Sequence, residues 1–190
     1  MPVGSIGPGG PRGSAAVLPP VLGVVQGWQT LLGGGLNSGD GWVAVSPAAI
    51  ITNAPYEGDR CGALRGTDTG FPPFTPFGSF RRDYSPVLDL SAFTKFRYRR
   101  KYVNIGDNST LTVEIRFYST SLTLVSSFVV AYTSGTSSLW TLNAELTIGV
   151  GGAANWAAIE RVEFQITNIT GGGFAPPSEL HVDLLEIFRP

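Results

Sequence analysis

Between Thr110 and Ser119 the chain places Leu111, Val113, Ile115 and Phe117 at every second position, with Thr112, Glu114, Arg116 and Tyr118 between them. A segment so divided has one apolar and one polar side only when extended; wound into a helix, the same residues would scatter around the cylinder. The pattern returns at Val162, Phe164 and Ile166, with Arg161, Glu163 and Gln165 on the other side. One buried face and one wet face per strand is the requirement of an antiparallel sheet packed on one side.

The remaining chain breaks into further short apolar runs separated by Gly, Pro, Asn and Ser. Candidate strands are Gly41–Ser46, Ala48–Asn53, Arg60–Arg65, Phe93–Val103, Thr110–Ser119, Leu122–Tyr132, Ser138–Ile148, Arg161–Thr167 and Leu180–Phe188. Only Ala153–Ile159 reads as a turn or two of helix, and no internal repeat is present. With 25 glycines and 14 prolines in 190 residues, a helical protein is disfavoured. The expected fold is all-β: an antiparallel jelly-roll β-sandwich over residues 27–190, carrying an extended N-terminal arm over residues 1–26.

Charge and chemistry-bearing residues exclude several function classes. Charged residues are 14% of the chain and the net charge is −1, so no global field draws in nucleic acid or an anionic membrane. The single cysteine, Cys61, rules out an internal disulfide or a cysteine-based zinc site, and it reads as a buried, inert thiol. The single histidine, His181, rules out a multi-histidine metal centre. His181 and Asp183 share strand parity, but no Gly-x-Ser-x-Gly turn supplies a nucleophile, so His181 reads as a hydrogen-bonded sheet residue. Glu160/Glu163 and Asp183/Glu186 are each three apart, which on a regular strand puts the partners on opposite faces and excludes an acid–base pair within the strand. Gly33–Gly35 and Gly171–Gly173 lack the Lys-Ser/Thr pair and helix start of a phosphate loop. No catalytic residue and no cofactor are expected. The sequons at Asn108 and Asn168 read as chance, and Val17–Val25 is too short and too proline-broken to span a membrane or serve as a leader.

Three features point to binding. Lys95, Arg97, Arg99 and Lys101 share one face of a strand whose other face is Phe96, Tyr98, Arg100 and Tyr102. Basic and aromatic residues interleaved in this way can hold single-stranded nucleic acid, but the reading preferred here is a solvated face paired across strands with Glu114, Glu163 or Glu186, with contact to an acidic surface of a neighbouring subunit as the next alternative. The arm carries Val17, Leu18, Val21, Leu22, Val24 and Val25, which would form a costly exposed patch unless they pack along the domain itself or, the reading preferred here, on a neighbouring subunit. Phe71, Phe74, Phe77 and Phe80 recur every third residue between prolines, as an extended aromatic edge that caps the sandwich or docks on another chain. Trp42 and Trp156 are candidates for stacking on a ligand, with core packing as the alternative.

Several segments, in order, resemble the jelly-roll carbohydrate-binding modules and the wider galactose-binding-like sandwiches. Trp28 opens the domain; Glu57-Gly58 running into Ala63-Leu64 is similar to an early "E-G-x-x-A-L" strand. Leu88-Asp89-Leu90-Ser91-Ala92-Phe93 resembles the "LDLS-aromatic" element, and Trp140 with Ile148 a late strand. Ile159-Glu160-Arg161-Val162-Glu163-Phe164 and His181-Val182-Asp183-Leu184-Leu185-Glu186-Ile187 are similar to the last two strands. The resemblance implies a β-sandwich and glycan binding without catalysis. It also implies a structural calcium held by the closing-strand acid; Asp183 occupies that position, but no acid precedes Asp40, so no metal is expected.

Two functions are open on this reading. The first is a structural assembly protein in a virion, a bacteriophage capsid decoration or head/tail accessory component held by its arm on copies of itself or on a capsid or tail protein. Low charge, an arm whose one charged side chain is Arg12, and the phenylalanine–proline loop favour it. The second is a non-catalytic carbohydrate-binding or adhesion module.

Overall fold

The computed structural model describes residues 26–52, 55–66, 78–103, 110–133, 139–170 and 178–190. The arm residues Val17 to Val25 and the loop residues Phe71, Phe74 and Phe77 lie outside them. In chain order the strands are β1 Gly27–Thr30, β2 Trp42–Val45, β3 Ala49–Ile51, β4 Cys61–Gly66, β5 Ser79–Leu88 and β6 Lys95–Val103. They continue as β7 Thr110–Ser119, β8 Thr123–Thr133, β9 Thr141–Leu142, β10 Leu146–Thr147, β11 Ile159–Thr170 and β12 Ser178–Arg189, with one helical turn, α1 Ala153–Trp156, before β11.

These strands form two antiparallel sheets, and the fold is a β-sandwich. The seven-stranded sheet runs β10-β6-β12-β4-β3, with β1 on β12 and β9 on β6; the five-stranded sheet runs β2-β5-β11-β7-β8. The alternation in β7 and β11 sets the core. Leu111, Val113, Ile115, Phe117, Val162, Phe164 and Ile166 are all buried, and they meet Leu64, Phe96, Tyr98, Leu180, Val182, Leu185 and Ile187 from the opposite sheet. Aromatic rings form the centre: Phe80 stacks on Phe164 at 5.0 Å, while Tyr98 meets Phe164 edge-on at 5.3 Å and Phe96 meets Phe117 edge-on at 5.4 Å. Gly62 of β4 is required by this stack, because a Cβ there would lie 2.6 Å from Phe80 Cζ.

Two expectations are corrected. The single strand over Ser138–Ile148 is instead β9 and β10, separated by the buried Asn143. Asn143 donates its backbone N–H to Tyr98 O at 2.8 Å and accepts from the Tyr132 hydroxyl at 3.3 Å, and these two contacts pull the chain inward. Asp183 and Glu186, three apart, both face outward rather than to opposite faces. The pairing of β12 with β6 slips between them, with Leu184 at φ 43°, so the count of two is broken by an inserted residue.

Candidate functional site

Each sheet turns one face away from the core, and the two outer faces differ in what they leave open. On the seven-stranded sheet the outward row of β12 is buried: Glu179 is 7% exposed, His181 3% and Asp183 0%, beside Cys61 and Ala63 of β4, both at 0%. Asp183 Oδ2 accepts the backbone N–H groups of Tyr56 at 2.8 Å and Glu57 at 3.1 Å, and Oδ1 accepts that of Leu184 at 2.7 Å. It therefore fastens residues 55–60 over the sheet. Burial pushes its carboxyl up to about 6 in spite of these donors. Oxygens aimed at by three N–H dipoles do not suit a hard cation, and among the described residues no cluster of three His, Cys, Asp or Glu side chains could hold a metal ion. The calcium site that the family resemblance implies does not fit these residues.

Several charges of this face are paired within it, although Arg99 Nε and His181 Nδ1 are buried with no hydrogen-bond partner among the described residues. Arg97 binds Glu186 through Nε at 2.8 Å and Nη2 at 3.2 Å while lying 3.7 Å over the Trp28 ring. Lys95 Nζ donates to Glu145 at 2.6 Å, and Arg99 stacks 4.7 Å over Tyr56. The expected partner Glu186 is thus engaged, whereas Glu114 and Glu163 lie on the other sheet. His181 and Glu179 meet at 2.6 Å, and Arg65 Nε donates to the same glutamate at 2.6 Å. Burial holds the imidazole below its ordinary value, and the bonds to His181 and Arg65 hold the Glu179 carboxyl below the carboxylate range against the opposing effect of burial. The Cys61 thiol is pushed up to about 12, chiefly by burial, so it is not a nucleophile.

On the five-stranded sheet the polar halves of β7 and β11 stand partly exposed side by side. Pairing places Glu163 between Arg116 and Arg81, Gln165 between Glu114 and Ser79, and Arg161 between Tyr118 and Asp83. Arg116 ties the rows together, donating to Gln165 Oε1 at 2.6 Å and to the Glu114 carboxylate. The Tyr118 hydroxyl donates to Glu163 at 3.3 Å, and Arg161 is paired with Asp83. The Arg116 bond holds Glu114 below the ordinary carboxylate range, the opposite of what a general acid requires. Val43 of β2, 55% exposed, and Val129 of β8, 67% exposed, flank the network at its two ends. The result is a wet sheet face bearing planar hydrogen-bonding groups, with one aromatic ring, Tyr118, among them.

The two tryptophans singled out in the sequence both turn inward. Trp156 is 0% exposed, packed 5.1 Å from Phe117, with its indole N–H on Val150 O at 3.1 Å. Trp42 packs against Phe80 at 5.5 Å and donates to Gly33 O at 2.7 Å. Stacking of Trp156 on a ligand is excluded by this burial, and Trp42 is anchored as a partly buried wall of the core. The aromatics that do reach the surface include Tyr118 and Tyr56, the latter edge-on to Trp140 at 6.0 Å. Sequence reasoning passed over Tyr118 because its neighbours in space, Arg161 and Glu163, come from a strand some forty residues away.

No protein-family model matches the chain, and no curated protein matches it in sequence. Solved structures do match in fold. The chain is similar to a family 11 carbohydrate-binding module from Clostridium thermocellum in complex with a β-1,3-1,4-mixed-linked tetrasaccharide, with a TM-score of 0.53 and 14% identity over 87% of this chain and 97% of that one. It is also similar to part of an agarase, with a TM-score of 0.51 and 11% identity over 87% of this chain and 25% of that one. The capsid and tail reading rests on the arm and the phenylalanine loop, outside the described residues, and neither likeness bears on it. The chain has the antiparallel β-sandwich fold found in carbohydrate-binding modules.

Proposed function

We propose that the protein is a non-catalytic carbohydrate-binding module whose ligand lies across the outer face of the five-stranded sheet. The observation that carries this reading is the contrast between the two faces. Glu179, His181 and Asp183 of β12 are buried with Cys61 and Ala63 of β4 at the centre of one face, while Glu114, Arg116, Tyr118, Arg161, Glu163 and Gln165 at the centre of the other are each partly exposed. Cross-strand bonds hold these groups in place before any ligand arrives, which lowers the ordering cost of binding. Planar guanidinium, carboxylate and amide groups bridge neighbouring sugar hydroxyls, and Tyr118 offers a ring edge or face to the pyranose. The cations Arg81, Arg116 and Arg161 are matched by Asp83, Glu114 and Glu163, a balance that suits a neutral polysaccharide better than a polyanion. The fold likeness to a module solved with a mixed-linked glucan supports testing that polymer first.

The test is affinity electrophoresis and calorimetry against soluble neutral polysaccharides, beginning with mixed-linked β-glucan and xylan. Tyr118→Ala and Gln165→Ala are expected to weaken binding by about tenfold or more, the effect of losing roughly 1.5 kcal/mol of contact, with thermal stability kept. Retention of no neutral polysaccharide, or full affinity in both variants, would overturn the assignment.

A further inference from the structure

The two sheets treat their edges very differently. β1 and β2 have four residues each, β3 has three, and β9 and β10 have two each, so the edges they form are short. Short edges are one of the means by which sheet proteins avoid pairing with other chains. β8 departs from this. It has 11 residues, Thr123–Thr133, and among the described residues it pairs only with β7 and forms the far edge of the five-stranded sheet. Its sequence, T-L-V-S-S-F-V-V-A-Y-T, contains no charge, no proline and no glycine. Leu124 is 50% exposed and Val129 67%, and Leu122, just before the strand, is 45% exposed. Its pairing with β7 slips once, at Val125, and from there to Thr133 no charge, proline or glycine interrupts the edge.

We infer that β8 is a self-association edge, and that it pairs antiparallel with β8 of a second copy to join the two five-stranded sheets into one. The occupant follows from charge. In a two-fold antiparallel pair residue i faces residue j of the copy and j faces i, so a strand with no ionised side chain meets no like charge in any register. The other strands longer than six residues all carry charges: Arg81, Arg82 and Asp83 in β5, the basic run of β6, Glu114 and Arg116 in β7, Glu160, Arg161 and Glu163 in β11, and Glu179, Asp183, Glu186 and Arg189 in β12. Among these long strands β8 alone carries no ionised side chain, so it can pair with its copy in any register without like-charge repulsion. A basic or acidic partner would find nothing on β8 to complement, whereas a second β8 offers the same unpaired backbone groups and the same exposed Leu124 and Val129.

The experiment is sedimentation of the full chain from low micromolar to submillimolar concentration, beside the double variant Val129→Lys/Ala131→Lys. Both positions are exposed on the outer side of β8, and Val129 pairs with Glu114, so a lysine there meets an acid within its own copy and the fold is kept; circular dichroism checks this. The wild type is expected to form a dimer and the variant to lose it, with amides of Thr123–Thr133 exchanging more slowly in the concentrated wild type. A wild type that is monomeric throughout, a dimer that survives the two lysines, or amides of β8 that exchange alike at both concentrations would each overturn the inference.

Discussion

Replacing Asp183 by asparagine tests the anchor that holds residues 55–60 against the seven-stranded sheet. In the folded chain the carboxyl is buried and stands at about 6, against an ordinary 3.8. Between these two values the unfolded chain has lost the proton and the folded chain keeps it, so stability falls as pH rises through this window. A rise from 3.8 to about 6 corresponds to about 3 kcal/mol, all of it lost by neutral pH and none of it lost below about pH 4. The asparagine side chain cannot ionise. Its amide nitrogen would face one of the three N–H donors, but that cost does not change with pH. Urea unfolding of both proteins from about pH 4 to about pH 7 isolates the effect, because every other titrating group is common to the two. The wild type should lose about 3 kcal/mol relative to Asp183→Asn across the window. Parallel stability curves, or a wild type that gains on the variant, would show that the three amide bonds outweigh burial and that the reasoning has the wrong sign.

Two further substitutions test the core. Trp156→Ala should cost about 3–5 kcal/mol in denaturant unfolding while leaving polysaccharide affinity unchanged, since the ring is sealed against Phe117; a near-neutral stability would mean that the indole does not fill the space described. Gly62→Ala should cost about 1–3 kcal/mol by pressing on Phe80, read as a lowered melting temperature, and an unchanged melting temperature would show that the aromatic stack can yield.

The strands that alternate strictly, β7 and β11, could be read directly, because each position on them obeys a single demand: core or water. β5 could not. Its Arg81-Arg82-Asp83 and Ser85-Pro86 break every apolar pattern. Arg82 lies on the same side as the buried Phe80 and Tyr84, and it is accommodated only because its guanidinium stacks 4.7 Å over Tyr84 and donates to Leu32 O at 3.0 Å. Gly33 is needed beside it, since a Cβ there would collide with Arg82. No local signal announces an arginine satisfied by a loop fifty residues earlier. The candidate site had the same character. Glu114, Arg116, Tyr118, Glu163 and Gln165 were visible as the wet halves of two strands, but that they lie side by side is a matter of register between strands, which periodicity does not contain. The tryptophans failed in the opposite direction. An indole announces a large contact area, but not which side of the sheet takes it.

The pairing of β1 with β12 sets how the domain bears a mechanical load. Gly27 lies opposite Arg189 and Thr30 opposite Glu186, so the two ends of the sandwich sit side by side on neighbouring antiparallel strands. A pull between residues 27 and 189 therefore acts along the hydrogen bonds rather than shearing across them, and opens them one after another from the end, like a zipper. Such a joint yields at low force and closes again when released. It also gathers any tether leaving residues 27 and 189 at one place on the seven-stranded sheet, rather than on the sheet that carries Glu114 and Glu163.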